Sequence, residues 1–281
     1  DTEKKLKETI KKLNDQRCLG YININLVNKD KKTAYIQQHR EQGSLKARLI
    51  KNYNVNDELI IINTAGGVTS GDVNVHSIKV AKNVILNITT QSMEKIYKCK
   101  NLCAHTYTNI VVDSNSFVSW LPLETIFFDG AKLRRRINIE LKKKSNFLGV
   151  ETLIFGRKAM GEIVKKGDLD DAWQIYKNGE LIYSDFNKIN GNINYKFSKA
   201  IIMKGNNILC NVVFTGSKIK TYRKKILDYI NNSNFFIGVS LLNGVLLLKI
   251  LAQDLNEIRG FLKHLMNVLD DRFNLPRIWG F

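Results

Sequence analysis

From about residue 20 to residue 215 the chain reads as short apolar–polar alternating runs broken again and again by turn-forming pairs, a pattern that only a mostly β fold accommodates. Alternation is plain in Tyr21-Ile22-Asn23-Ile24-Asn25-Leu26 and is read again in Val84 to Thr90. Asn56-Asp57, Gly66-Gly67, Asp129-Gly130, Asn178-Gly179 and Asn190-Gly191 mark turns between such runs. Helical periodicity comes late. Asp254 and Glu257 have capping-box spacing ahead of a stripe of Leu255, Ile258, Leu262, Leu265, Met266 and Leu269, which predicts a helix from about Asp254 to Asp270. A shorter helix is predicted over Thr221 to Ile230, so the helices pack at the C-terminal end of a β architecture. The apolar run Phe235 to Ala252 is interrupted by Asn243-Gly244 and reads as a type I′ hairpin buried in the core rather than a membrane span.

With 281 residues, 44% of them hydrophobic, the chain is long enough to bury a real core. Only Pro122 and Pro276 occur as prolines, and no linker or internal sequence repeat divides the chain, so 1–281 is read as one domain with the first twenty or so residues as a peripheral extension. The formal charge of +18 invites a nucleic-acid reading, but most basic residues are dispersed and no aromatic RNA motif accompanies them. A solvated surface is favoured; an acidic protein partner is the further alternative. The exceptions to dispersal are Arg134-Arg135-Arg136 and Lys142-Lys143-Lys144, read as flanking one strand. Four cysteines without a dense framework, and no leader-like start, fit a cytoplasmic protein.

Residues Asn63 to Asp72, NTAGGVTSGD, have the glycine spacing of a phosphate loop at Gly66 and Gly71, yet Asp72 stands where that motif needs lysine. A carboxylate there repels nucleotide, so the stretch is read as a positive-φ turn ending in a fixed acid. Cys99, Cys103 and His105 offer soft ligands without a fourth, and packed thiols are favoured over a metal site. His39, His76 and His264 are read as structural. No nucleophile elbow or His-Glu-x-x-His helix supports an enzyme. Glu124, Asp129, Glu151 and Glu162 lie in apolar or glycine-marked strands, where carboxylates need partners; Arg157 is the nearest cation in sequence. Structural ion pairs and a polar passage for a cation are equally open at this point.

Several of these segments are shared, in order, with the urease accessory proteins UreD and UreH: NTAGGVTSGD, TTQSMEKIY (89–97), WLPLETIFFDGAKLRRR (120–136), FLGVETLIFGRKAMGE (147–162) and the terminal LPRIW. The chain resembles that family from about residue 35 to its end, and most resembles alphaproteobacterial members. The resemblance implies a mainly β fold, a helical stack or sandwich of many short strands with about two α-helices near the C-terminal part. It also implies a non-enzymatic chaperone that, with UreF and the GTPase UreG, docks on apo-urease and delivers nickel. No cofactor is bound permanently; Ni2+ passes through, and neither nucleic acid nor membrane is a partner. A dimeric assembly within the maturation complex is also expected.

On that basis Asp72, Glu124, Asp129, Glu151 and Glu162 are the expected contacts of nickel in transit. Gly66, Gly67, Gly71, Thr89, Thr90, Gln91, Trp120, Pro122, Gly130, Gly156, Arg157, Gly161, Pro276 and Arg277 are the matching motif positions. Ser70 departs from the glycine usual there and is expected to stiffen its turn, because serine tolerates positive φ poorly. Cys99 to His105 falls where the family varies, so no metal role carries over. A pure docking module without nickel conduction and a basic nucleic-acid-binding β protein are the rival readings.

Overall fold

A computed structural model describes residues 17–28, 34–52, 55–157, 160–230, 236–269 and 272–280. Most of the N-terminal extension, Phe235 at the start of the expected hairpin and Asp270 at the end of the expected helix lie outside the described residues. One seven-stranded sheet carries, in spatial order, β14 (Glu180–Asn192), β13 (Lys166–Lys177), β11 (Lys132–Leu141), β8 (Ala104–Val112), β5 (Val73–Val80), β1 (Leu19–Asn28) and β2 (Ala34–Gln42). A ten-stranded sheet faces it, ordered β16 (Phe236–Leu242), β17 (Val245–Ala252), β15 (Ile208–Thr215), β12 (Asn146–Phe155), β9 (Phe117–Trp120), β6 (Ile85–Thr90), β4 (Asp57–Asn63) and β3 (Leu45–Ile50). Two short strands complete it, β10 (Thr125–Phe127) pairing β12, and β7 (Glu94–Ile96) pairing β10.

The middle of both sheets is parallel, from β1 through β5, β8 and β11 to β13, and from β4 through β6 and β9 to β12. The chain therefore coils, passing from the first sheet to the second through turns that stack on one another. Asp113 N–H donates to the Val80 carbonyl and Lys142 N–H to that of Val112, both at 2.9 Å. Each turn has one left-handed residue, Asn83 (φ 61°), Asn115 (φ 58°) and Lys144 (φ 61°). The mainly β helical stack that the resemblance implies is what the strands form, and its coil is a structural repeat without a sequence repeat. It recurs as inward apolar parity and one left-handed position, not as shared residues, which is why no repeat was legible.

Between the sheets lies a core of Ile22, Ile24, Ile78, Ile110, Ile137 and Ile139 against Leu86, Ile88, Val118 and Phe147. The outer face of the second sheet is covered by α2 (Ile219–Ile230) and α3 (Leu255–Val268), whose Ile226, Ile258, Phe261 and Leu262 bury against Val150, Val212 and Leu248. Covered on both sides, β12 and β15 are buried at almost every position and β6 at its four central ones, so the alternation read in Val84 to Thr90 does not correspond to one wet face. Asp254 caps α3 by accepting from Asn256 N–H at 2.9 Å, as its spacing suggested. A third helix, α1 (Ile193–Ser198), was not predicted; Asn192 caps it, and Ile193 and Phe197, one turn apart, anchor it. No helix among the described residues is long and apolar enough to cross a membrane.

Three expectations are corrected. Asn243 (φ 48°) and Gly244 (φ 73°) do form the turn between β16 and β17, but only β17 is core; β16 is an exposed edge strand. Arg134 to Arg136 do not flank β11, they lie within it, and only Lys142 to Lys144 form a turn at its end. Ser70 is not at positive φ, so it strains nothing; its hydroxyl accepts from Leu102 N–H at 3.1 Å and donates to the Leu102 carbonyl at 3.0 Å.

Candidate functional site

The inward face of β11 reads Leu133, Arg135, Ile137, Ile139, Leu141, and that of β13 reads Leu169, Asp171, Trp173, Ile175. An arginine and an aspartate thus occupy core parity on neighbouring strands, directly opposite in register. Arg135 (5% exposed) clamps Asp171 (0%) in a fork, Nε to Oδ1 and Nη2 to Oδ2, each 2.9 Å. Its remaining arm, Nη1, donates across to Glu151 Oε2 on β12 of the facing sheet, and Trp120 Nε1 donates to Glu151 Oε1 at 2.8 Å. Burial acts against the arginine's charge, but the two carboxylates outweigh it and hold Arg135 above its ordinary pKa. Burial also raises Glu151, opposed by Arg135 and the Trp120 indole and reinforced by Asp171. The triad ties the two sheets together.

Beside this clamp a polar hollow of about 50 Å3 opens between the sheets, lined by His76, Thr90, Glu94, Thr108, Trp120 and Glu151 among others. A second of about 30 Å3 shares His76, Thr90 and Glu94 and reaches Asn63, Gly66 and Gly67. Sharing these residues, the two mark a seam from the glycine turn to the clamp, with Glu94 and His76 at the junction and Ile61, Ile96, Leu123 and Leu133 as its apolar wall. His76 Nδ1 lies 3.0 Å from Thr108 Oγ1, and burial pulls its pKa down to about 4, so it is neutral at pH 7. Asn63 Nδ2 donates to both Glu94 oxygens, at 3.1 and 3.2 Å. Although part of Glu94 remains exposed, enclosure of its carboxylate and the charge of Asp72 push it up to about 7, against the Asn63 amide. A neutral imidazole, threonine hydroxyls and a carboxylate poised near neutrality suit brief contact with a divalent cation, without the thiolates that would trap it.

The raised pKa makes a stability prediction. Folding holds the Glu94 proton more tightly than the unfolded chain does, so this stabilisation is complete below about pH 4.5 and is lost as pH rises through 7. Discounted for partial exposure, wild type should lose about 2 kcal/mol between pH 5 and 8 that Glu94→Gln does not lose. Urea unfolding at both pH values checks this, and an equal decrement in the two proteins would refute it.

The other expected residues do not all converge on the seam. Thr90, Trp120, Pro122 and Glu151 line it, and buried Thr89 precedes Thr90. Asp72 accepts from Cys18 N–H at 2.9 Å and Thr69 N–H at 2.8 Å, fixing Gly71 and the glycine turn to β1. Glu124 (1% exposed) is gripped by Arg259 of α3 at 2.8 and 2.9 Å. Asp129, ahead of Gly130, accepts from Lys165 and Lys166 N–H at 2.7 and 2.9 Å. Arg157 pairs with Glu162 at 2.7 Å and stacks 4.4 Å over Phe128, so it is not the cation serving the buried carboxylates; Arg135 and Arg259 are. Gly156 (φ 85°) packs where a Cβ would lie 2.5 Å from the Glu162 carbonyl, while Gly161 shapes the same loop and Gln91 is exposed. Pro276 leads into the Arg277–Trp279 turn, where Arg277 N–H donates to Glu58 and Trp279 Nε1 to the Leu121 carbonyl.

Among the described residues no three His, Cys, Asp or Glu side chains stand together as a metal-holding group. Cys99 Sγ instead meets the Tyr97 and Lys132 carbonyls, and His105 the Tyr107 hydroxyl. Arg135, Asp171, Glu94, Asn63 and His76 were not among the expected site residues. Strand parity carried the signal for the first two, and the third lay inside TTQSMEKIY between Met93 and Lys95, in a segment too short and too mixed to read as an apolar strand.

The family model described as UreD urease accessory protein matches residues 19–280. A protein of Rhizobium johnstonii named urease accessory protein UreD is 32% identical over 245 residues, covering 87% of this chain and 89% of that one. Proteins of the same name from Xanthobacter autotrophicus (32% over 244 residues, 85% and 82% covered) and Azorhizobium caulinodans (29% over 265 residues, 94% and 97% covered) match comparably.

Proposed function

Because this chain belongs to the UreD family of urease accessory proteins, and so has a role in urease maturation, we propose that it acts there as a non-catalytic cytoplasmic scaffold for nickel delivery. Residues 1–281 act as one unit that joins UreF and the GTPase UreG to apo-urease, and nickel is its cargo. The observation that carries the reading is the seam between the sheets, where the buried His76 and the Glu94 carboxyl stand between the glycine turn and the Arg135 clamp. Uptake of nickel at Glu94 displaces a proton, which a carboxyl near neutrality gives up readily. GTP hydrolysis is assigned to UreG, since Asp72 replaces the phosphate-loop lysine and its carboxylate is engaged by backbone N–H groups.

A docking module without conduction is the second reading. It is favoured by the partners already held by Asp72, Glu124, Asp129 and Glu162. Affinity-tagged chain co-expressed with UreF, UreG and the urease subunits should retain all of them through purification. Loss of apo-urease from the retained set would refute the scaffold role common to both readings.

A further inference from the structure

The lysine turn singled out in the sequence is not used by the seam. At the end of the coil where β5, β8, β11 and β13 terminate, two hollows of about 570 and 500 Å3 lie on either side of residues 142–145 and share Lys143 and Asn178. Lys143, Lys144, Lys177 and Arg272 line the first, and Lys79, Lys142 and Lys143 the second. Asp113 is the one carboxylate among the residues lining them, and its Oδ1 accepts from Ser114 N–H. Lys142 is paired with Glu140, but Lys79, Lys143, Lys144 and Lys177 have no ion-pair partner among the described residues. The bases are thus gathered in a concave, two-lobed cleft, and the stacked turn backbones beneath it, left-handed at Asn115, Lys144 and Asn178, hold them in place.

We propose that this cleft is a docking site for an extended acidic segment of a protein partner. Charge complementarity selects the sign of the ligand, and hollows lined mostly by one sign of charge focus their field on whatever enters them. Single-stranded nucleic acid fits less well, because it needs exposed aromatic faces to stack on. The aromatic residue lining the cleft is Phe117, which is buried with the Arg272 guanidinium 3.3 Å over its ring. Carboxylates, by contrast, find several ammonium groups and the amides of Asn115 and Asn178 at the rim. The site is separate from the seam and does not depend on nickel passing through it.

The test is fluorescence anisotropy of a fluorescein-labelled oligoglutamate peptide titrated with the full chain at moderate ionic strength. Saturable binding is expected, weakened about tenfold or more by Lys143→Glu with Lys177→Glu. The same charge change at the far end of the strands, Lys95→Glu with Lys100→Glu, should shift it by less than about twofold. Lys143→Gln with Lys177→Gln should fall between and carries the test if the glutamates disturb folding, which circular dichroism would register. Equal weakening by both reversals would reduce the cleft to a diffuse field. Absence of saturable binding, or displacement of the peptide by a smaller amount of an oligothymidine strand of equal charge, would overturn the assignment.

Discussion

Replacing Arg135 by methionine should destabilise the fold by about 3–5 kcal/mol, the largest effect expected of any single substitution here. The fork to Asp171 and the arm to Glu151 would vanish, leaving two carboxylates in a site where the wild-type residues are 0% and 3% exposed. Methionine fills the volume, so the loss isolates the uncompensated charge rather than a cavity. The variant's pH dependence gives a second readout. Burial already raises the Glu151 carboxyl and would then act on it without the opposing arginine, so stability is fullest in acid and falls as pH rises through that raised value. Adding Asp171→Asn and Glu151→Gln should recover a large part of the loss, because amides in the same positions need no counter-ion. Urea unfolding at neutral and acid pH measures all of this. A single-variant loss under about 1 kcal/mol would show that the clamp is not the tie between the sheets.

Gly67→Val should cost about 3 kcal/mol, close behind. Gly67 has φ 149°, outside the range valine adopts, and a Cβ there would lie 2.5 Å from the Lys95 carbonyl and 2.6 Å from Tyr97 Cε2. The Tyr97 ring is partly exposed and can turn aside, but the Lys95 carbonyl cannot withdraw easily. Lys95 O accepts from Val68 N–H at 2.8 Å and Tyr97 N–H donates to Val68 O at 2.9 Å, the bridge that holds the glycine turn against β7 and beside Glu94. Gly66 is the internal control: at φ 71° nothing lies within 4 Å of its would-be Cβ, so Gly66→Ala should cost only about 1 kcal/mol of backbone strain. Thermal melts of the two variants check the contrast, and matching midpoints would contradict it.

Local chemistry made some of this legible in the sequence. Asn243-Gly244 specifies its turn by φ alone, and Asp254 its helix by one capping bond, so both were readable without the rest of the molecule. The depth of β16, the identity of the cations serving Glu124 and Glu151, and the coil itself depend on residues far apart in the chain. Arg259 reaches Glu124 across 135 positions, and Arg135 meets Asp171 only because β11 and β13 are parallel neighbours in one register. Arg135 was camouflaged by its flanking arginines, although its spacing from Leu133 and Ile137 already put it on the buried face. Glu94 became visible once β7 was seen to lie against the glycine turn. Carboxylates in apolar strands were the right signal for partnered groups, but sequence could not say which were committed to the fold and which bordered open space.

The measurement that bears most directly on nickel delivery is the nickel content of urease purified from cells that carry the urease operon with this gene deleted. The deletion is then restored with wild type or with Glu94→Gln. Urease low in nickel without the gene, fully loaded with wild type and markedly underloaded with Glu94→Gln at equal protein level and equal partner retention, is the predicted result. Full nickel in the deletion strain would contradict the maturation role, and loading by Glu94→Gln equal to wild type would contradict passage through the seam.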